Sequence, residues 1–186
     1  MIETILDLNR INAIDLKSLG DLVIEPEFRA YFLEGPGKEH YKLLGNVSMT
    51  FNNSVLLDIG TYKGCSALAL SINPTNQIKS FDIRTGLRDI SSSPENVEFI
   101  IDNILNGKYE DLVLSSKFII LDTDHDGTFE YEFYNYLLSI NYVGILMIDD
   151  INYNKQMRNF WDSITDEKHD ITNIGHHSGT GIVIFK

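Results

Sequence analysis

The chain has 186 residues, and 27 acidic side chains against 15 basic ones give it a formal net charge of −12 at pH 7. This length favours one domain, 1–186, with a sizeable hydrophobic core, and no apolar run approaches the ~20 residues that a membrane span needs. A surface this acidic repels nucleic-acid phosphates, and no Lys/Arg run offsets it, so we expect neither nucleic acid nor membrane as a partner.

Two regions follow one another along the chain. Residues 1–50 are predicted to form a weakly patterned N-terminal helical region, and residues 51–186 are predicted to form the core of the domain. From residue 55 onward, apolar runs alternate with helical patterns, which is typical of an α/β fold with a mostly parallel sheet. The three clearest helical faces centre on Leu44, Phe133 and Phe160. The predicted strands are 55–59, 77–83, 97–101, 118–122, 144–149, 170–174 and 181–185, and the last two are expected to form a hairpin.

The first predicted strand leads into a glycine loop. Asp58 is followed by Gly60 and Gly64, and a helical pattern then begins. This predicts a buried strand, a tight turn and a helix start, the layout of a nucleotide-cofactor site. The spacing differs from the Gly-x-Gly-x-x-Gly of dinucleotide enzymes and suits a cofactor without phosphate, so the loop resembles the S-adenosylmethionine (SAM) loop of class I methyltransferases. Ser66 is expected either to cap the helix or to bind the methionine carboxylate. The expected cofactor contacts in this segment are Asp58, Gly60, Thr61, Tyr62, Gly64 and Ser66.

Polar residues also end the second and third predicted strands. Asp82 lies 24 residues after Asp58, where an acid accepts hydrogen bonds from the two ribose hydroxyls in nucleotide-binding α/β folds. A solvated acid at a strand end is the alternative. Asp102 and Asn103 follow the third strand and are expected either beside the adenine or in an ordinary turn.

Three acids end the two central strands. Asp122 follows the fourth predicted strand, and Asp149 and Asp150 follow the fifth. If these strands are neighbours, the three carboxylates converge and repel one another unless a cation lies among them. Oxygen ligands favour Mg²⁺, or Mn²⁺ and Ca²⁺, over zinc. The alternatives are that the acids point apart or face the cationic groups of SAM, and Asp122 is also expected to contact that cofactor.

These motifs together resemble the metal-dependent class I O-methyltransferases, which include catechol, caffeoyl-CoA and macrocin-type sugar enzymes. The similar segments are 58–67, 121–125 and 144–150, and the resemblance extends from about residue 38 to the C-terminus. It implies a Rossmann-like, seven-stranded, mostly parallel sheet with a C-terminal antiparallel hairpin and helices on both faces. The Asp149-Asp150 pair leans toward the sugar-modifying branch. The short N-terminal region and Val143, where relatives usually have glycine, depart from the pattern.

The resemblance implies a reaction. SAM would give its methyl group to a hydroxyl of a sugar, glycan or other small diol, and a metal on Asp122, Asp149 and Asp150 would activate that hydroxyl. His125 is the expected general base, with Asp124 as the second candidate. His176 and His177 are expected to be exposed turn residues, with a place at the substrate mouth as the alternative, while Glu39 or His40 is a weaker candidate for the site.

Other readings stay open at this point. An NAD-dependent oxidoreductase fits Asp82 but not the glycine spacing, and a metal-independent methyltransferase or a non-catalytic module fits the same fold. The single cysteine, Cys65, excludes an intramolecular disulfide and is expected to be a small core residue. A reducing compartment and the lack of a signal-peptide pattern predict a cytoplasmic location. The resemblance also allows a homodimer, since its members often form one.

Overall fold

A seven-stranded sheet forms the centre of the computed structural model, which describes residues 1–34, 38–84 and 88–186 but not the side chains of Lys38 and Glu39. The strand order is β3-β2-β1-β4-β5-β7-β6. Strands β1 to β5 pair in parallel, and β7 runs antiparallel to both of its neighbours. The predicted α/β architecture is therefore confirmed. The strands are β1 (Val55–Ile59), β2 (Gln77–Asp82), β3 (Val97–Ile101), β4 (Ser116–Leu121), β5 (Gly144–Asp149), β6 (Glu167–Asp170) and β7 (Thr180–Phe185).

Helices cover both faces of the sheet because alternate strand residues point to opposite sides. Leu56 packs with the helices that precede and follow β1, whereas Leu57 packs with α8 and α9 in a second hydrophobic cluster. No helix among the described residues is long and apolar enough to cross a membrane. The helices are α1 (Ile2–Ile5), α2 (Leu8–Ala13), α3 (Lys17–Gly20), α4 (Pro26–Leu33), α5 (Lys38–Thr50), α6 (Cys65–Leu70), α7 (Glu110–Ser115), α8 (Thr128–Ser139) and α9 (Lys155–Ser163).

The predicted strand at 170–174 is wrong. The chain turns there, since the backbone N–H groups of Ile174 and Gly175 both donate to the carbonyl of Ile171. The partner of β7 is instead Glu167–Asp170, which carries charged side chains because it lies at the sheet edge and needs no apolar face. The predicted bounds of β1, β3 and β5 are correct, and those of β2, β4 and β7 differ by one or two residues.

Candidate active site

The loop between β1 and α6 is built around two glycines. Gly60 has φ 105° and Gly64 has φ 89°, both in the left-handed region that favours glycine. A Cβ atom on Gly60 would lie 1.7 Å from the carbonyl oxygen of Asp122, so the loop passes directly against the end of β4. A side chain at Gly60 is therefore incompatible with this packing, and the loop is held close to the first residue beyond β4.

Hydrogen bonds tie this loop to β2. The backbone N–H of Tyr62 donates to Asp82 Oδ2 at 2.9 Å, and the hydroxyls of Thr61 and Ser80 lie 2.6 Å apart. Ser80 also donates to Asp58 Oδ2 at 2.6 Å. Asp58 is fully buried, which raises the pKa of its carboxyl group to about 7. The expected cofactor contact by Asp58 is thus replaced by support of the loop from behind.

Two cavities open at the carboxyl ends of the parallel strands, as expected for ligand sites in open α/β sheets. The first has a volume of about 290 Å³ and contains the glycine loop with Ser66, Asp149 and Asp150. The second has a volume of about 540 Å³ and contains Asp82 and Asp102. Both are lined by Gly60, Tyr62 and Asp122, so the two cavities adjoin at these residues.

Asp102 and Asn103 line the second cavity but serve their own turn. Asp102 accepts hydrogen bonds from Asn106, Lys108 and Tyr109 at 2.7, 3.0 and 2.9 Å. Those from Lys108 and Tyr109 lower the pKa of Asp102 to about 2. Asn103 accepts a bond from the backbone two residues on. The structure thus favours the turn interpretation for their side-chain oxygens, although both residues remain beside the cavity.

The three acids at the ends of β4 and β5 converge, and imidazole rings lie between them. His125 Nε2 is 3.2 Å from Asp122 Oδ1 and 3.6 Å from Asp150 Oδ2. His176 Nδ1 is 3.2 Å from Asp150 Oδ1 and 3.7 Å from Asp149 Oδ2. These carboxylates and imidazoles form one cluster, which borders both cavities and which we call the acid cluster.

His40 adds a third ring to the acid cluster from α5. Its side chain is 5% exposed, and its Nδ1 atom lies 3.6 Å from Asp149 Oδ1. Neither atom has a hydrogen-bond partner among the described residues. Burial lowers the pKa of His40 to about 4. Burial, together with the charges of Asp122 and Asp150, raises the pKa of Asp149 well above its usual range.

In the other two histidine–acid pairs, contact between the partners outweighs burial in setting the pKa. Burial alone would lower the pKa of His125, but its contact with Asp122 raises it to about 9. Burial would raise the pKa of Asp150, but hydrogen bonds from His176 and Ser178 lower it. In this arrangement His125 carries a proton at neutral pH and Asp150 is ionised.

The two predicted general-base candidates occupy different places. His125 reaches the acid cluster because its backbone adopts φ 56°. Its N–H group donates to Glu130 Oε1, and its carbonyl oxygen accepts from the side-chain amide of Asn154. Asp124 lies in the second cavity, where both of its oxygens accept from Arg84 at 2.9 Å. His125 is therefore the candidate that lies among the three acids.

Sequence reasoning missed part of the acid cluster. The expectation that His176 is an exposed turn residue is wrong, since its side chain is 24% exposed and contacts Asp150, whereas His177 is exposed as expected. His40 was only a weak candidate, and the side chain of Glu39 lies outside the described residues. No local pattern marks His40 or His176, because α5 and the segment before β7 meet only in the folded chain.

The acid cluster has the donor set of a divalent-cation site. One ligand atom each from His40, Asp122 and Asp149 lies within 4.8 Å of the others, and the same holds for His125, Asp149 and Asp150. The buried His40 Nδ1 and Asp149 Oδ1 atoms lack hydrogen-bond partners among the described residues, as expected of atoms that bind a metal. The residues present therefore fit a metal ion.

Comparison with solved structures identifies the fold. No protein-family model and no curated protein matches this sequence. An O-methyltransferase from Bacillus cereus in complex with SAH matches all of both chains at 16% identity and a TM-score of 0.61. The O-methyltransferase TomG from Streptomyces achromogenes, in complex with SAM, matches 97% of this chain and 100% of its own at 14% identity and a TM-score of 0.59. An SAH-bound methyltransferase from Podospora anserina matches 91% of this chain and 88% of its own at 14% identity and a TM-score of 0.53. At these identities the likeness shows that the chain has the fold of the SAM-dependent methyltransferases.

Proposed function

We propose that this chain is a SAM-dependent O-methyltransferase that uses a divalent metal and acts on a hydroxyl of a sugar, a glycan or another small diol. One observation carries the proposal: Asp122, Asp149 and Asp150 converge in the same cavity as the loop around Gly60 and Gly64. A cofactor loop beside a cluster of acids suits group transfer to an acceptor that the acids help to position.

The two adjoining cavities suit SAM, which supplies an electrophilic methyl group when bound. Asp82 would accept bonds from the ribose hydroxyls, because a carboxylate that already receives two backbone N–H groups still has free lone pairs. The loop from Gly60 to Ser66 would hold the methionine part. Asp102 and Asn103 would border the adenine through their position at the second cavity.

A divalent metal would be held by Asp122, Asp149 and Asp150, and when bound it supplies Lewis acidity that favours the ionised form of an acceptor hydroxyl. Ligand atoms of Asp149 lie within 4.8 Å of one from Asp122 and of one from Asp150, and Asp149 is almost completely buried, so these charges are destabilising without positive charge among them. The raised pKa of Asp149 is the expected sign of that repulsion and desolvation.

His125 is the proposed proton acceptor for the hydroxyl. Its Nε2 atom lies within the acid cluster, whereas Asp124 is engaged by Arg84. Despite burial, contact with Asp122 raises the pKa of His125 to about 9, so the imidazole must lose its own proton before it can accept one from the hydroxyl.

The aromatic lining of the first cavity supports a ring-shaped acceptor. Phe28, Tyr31, Tyr41 and Tyr62 all line it, and Phe28 and Tyr62 pack edge to face with centroids 6.0 Å apart. Aromatic faces beside polar groups suit the apolar face of a sugar ring, and they suit a catechol-like phenol as the second choice.

A metal-independent methyltransferase is the second candidate function. His125 and His176 already place imidazoles between the three acids, and protonation of these rings offsets part of their negative charge. In that case the acid cluster would orient the acceptor through hydrogen bonds alone.

Calorimetric titration with SAM and with NAD⁺, each with Mg²⁺ and after EDTA, tests the proposal. We expect SAM to bind and NAD⁺ not to bind, together with a separate metal isotherm that EDTA abolishes. SAM binding without any metal isotherm would favour the metal-independent enzyme. Binding of NAD⁺, or of neither cofactor, would overturn the methyltransferase assignment.

A further inference from the structure

The His40 imidazole is the most deeply buried ring of the acid cluster, and no group among the described residues is a hydrogen-bond partner for its Nδ1 atom. His176 Nδ1 is engaged by Asp150 and Ser178, whereas His125 Nε2, which lies 3.2 Å from Asp122 Oδ1, also lacks a hydrogen-bond partner among the described residues. His40 Nδ1 instead faces Asp149 Oδ1, and both atoms lack hydrogen-bond partners in the part of the chain that the structure describes.

Burial makes this pair of unpartnered atoms informative. His40 is 4% exposed and Asp149 is 6% exposed, so bulk solvent scarcely reaches either side chain. Buried polar atoms in folded proteins almost always have a partner, and an unpartnered pair that faces one cavity indicates a ligand that contacts both atoms. Both residues line the first cavity, together with Asp122.

The spacing of these atoms suits a coordination sphere. The ligand atoms of His40, Asp122 and Asp149 lie within 4.8 Å of one another, and the His40–Asp149 separation is 3.6 Å. Ligands on bonds of about 2.1 Å are about 3.0 Å apart at right angles and about 4.2 Å apart across the metal. The His40–Asp149 separation of 3.6 Å lies between these two values.

We propose that His40 Nδ1 is a ligand of the metal held by Asp122 and Asp149, which makes the site a mixed nitrogen–oxygen centre that selects Co²⁺, Fe²⁺ or Zn²⁺ over Mg²⁺. This inference rests on the proposed metal-assisted function and narrows its metal. Imidazole suits the later first-row metals, whereas Mg²⁺ prefers oxygen ligands and retains water. The Mg²⁺ site expected from the acids alone is thereby revised.

The test compares Co²⁺ and Mg²⁺ affinities in the EDTA-treated protein and in His40→Leu, which removes the nitrogen but suits a buried position. Visible absorption follows Co²⁺ binding, and calorimetry follows Mg²⁺. We expect His40→Leu to weaken Co²⁺ binding by about 100-fold or more and Mg²⁺ binding by less than about 10-fold. His169→Leu, on the edge strand β6 beside Glu167, is the matched control and retains both affinities.

A second variant covers the case in which His40→Leu does not fold, as judged by thermal melting. His40→Asn places an amide group near the position of Nδ1, so its Co²⁺-to-Mg²⁺ affinity ratio is expected to fall while Mg²⁺ binding persists. The proposal is overturned if a folded His40 variant keeps the parent ratio, or if the parent protein does not bind Co²⁺.

The SAM titration separates this proposal from the broader one. Loss of Co²⁺ selectivity in the variants with normal SAM affinity supports His40 as a metal ligand. An unchanged metal ratio with weakened SAM binding overturns the ligand role and assigns His40 to the cofactor. Failure of the parent protein to bind SAM counts against the methyltransferase and leaves the metal comparison to decide the role of His40.

Discussion

The acids of the two adjoining cavities differ in whether protein donors satisfy their carboxylate oxygens. In the second cavity, Asp82 and Asp102 accept hydrogen bonds from backbone and side-chain donors, and the pKa of Asp102 is lowered to about 2. In the acid cluster, Asp149 is buried with an unpartnered oxygen and a raised pKa. Protein donors therefore hold Asp82 and Asp102 in place without a ligand, whereas Asp149 Oδ1 has no hydrogen-bond donor among the described residues.

Gly60→Ala is expected to have the largest effect and to disrupt both cavities, because Gly60 lines both of them. The added Cβ would lie 1.7 Å from the Asp122 carbonyl oxygen at φ 105°, so we expect a loss of about 3 kcal/mol or more in the free energy of unfolding. Both SAM and metal binding should fall as well. Chemical denaturation and calorimetry measure these effects.

Gly107→Ala is the control for that change. Gly107 also has a positive φ, 82°, but nothing lies within 4 Å of its Cβ position. We expect a cost of about 1 kcal/mol and unchanged SAM and metal binding. Equal effects at the two glycines would show that the close approach of Gly60 to β4 is unimportant.

The buried acid behind the loop is expected to make stability fall as pH rises. The pKa of Asp58 is about 7 in the folded chain and 3.8 without the fold, so the folded state binds more protons between these values. The free energy of unfolding relative to that of Asp58→Asn should therefore drop by about 1.4 kcal/mol per pH unit between about pH 4 and pH 7. Urea denaturation at several pH values checks this slope, and a difference independent of pH would contradict the raised pKa.

Asp82→Asn separates the proposed ribose site from the acid cluster. Removing the charge should weaken SAM binding by about 10- to 100-fold, since hydrogen bonds to a carboxylate contribute about 1.5–3 kcal/mol. Metal affinity should stay unchanged, because Asp82 lines the second cavity and not the first. Glu98→Gln, at an exposed ion pair on neighbouring β3, is the control for loss of one negative charge. Parent-like SAM affinity in Asp82→Asn would remove the ribose role.

Asp102→Asn should give the smallest effect and the opposite pH dependence from Asp58→Asn. Hydrogen bonds from Lys108 and Tyr109 lower the pKa of Asp102 to about 2, so its stabilisation is present above about pH 4 and is lost as pH falls toward 2. Melting temperatures of the parent and variant should therefore differ more at pH 6 than at pH 3. A larger difference at pH 3 would contradict this assignment.

The same contrast explains how much of the molecule was predictable from sequence. Strands β1, β3 and β5 were predicted with correct bounds because each is an apolar run beside turn-forming residues. The glycine loop was predictable because its two left-handed backbone positions favour glycine, so Gly60 and Gly64 appear four residues apart in the sequence itself.

Features that depend on distant contacts were not predictable. Strand β6 carries Glu, Lys, His and Asp, so it lacks the alternation that marks a half-buried strand. The convergence of Asp122 with Asp149 was anticipated from the rule for parallel strand ends, but His40 and His176 reach them from α5 and from the segment before β7. Histidines in such places have no sequence signal that distinguishes them from surface residues.

The most direct test of the central claim is metal and SAM binding to Asp149→Asn, a nearly isosteric change at the buried acid. We expect the Mn²⁺ affinity of this variant, measured by calorimetry, to fall by about 100-fold or more while its SAM affinity changes by less than about threefold. Asp162→Asn, an exposed acid on α9, should leave both affinities unchanged. Parent-like Mn²⁺ affinity in a folded Asp149→Asn protein would contradict the claim that the acid cluster is a metal site beside the cofactor.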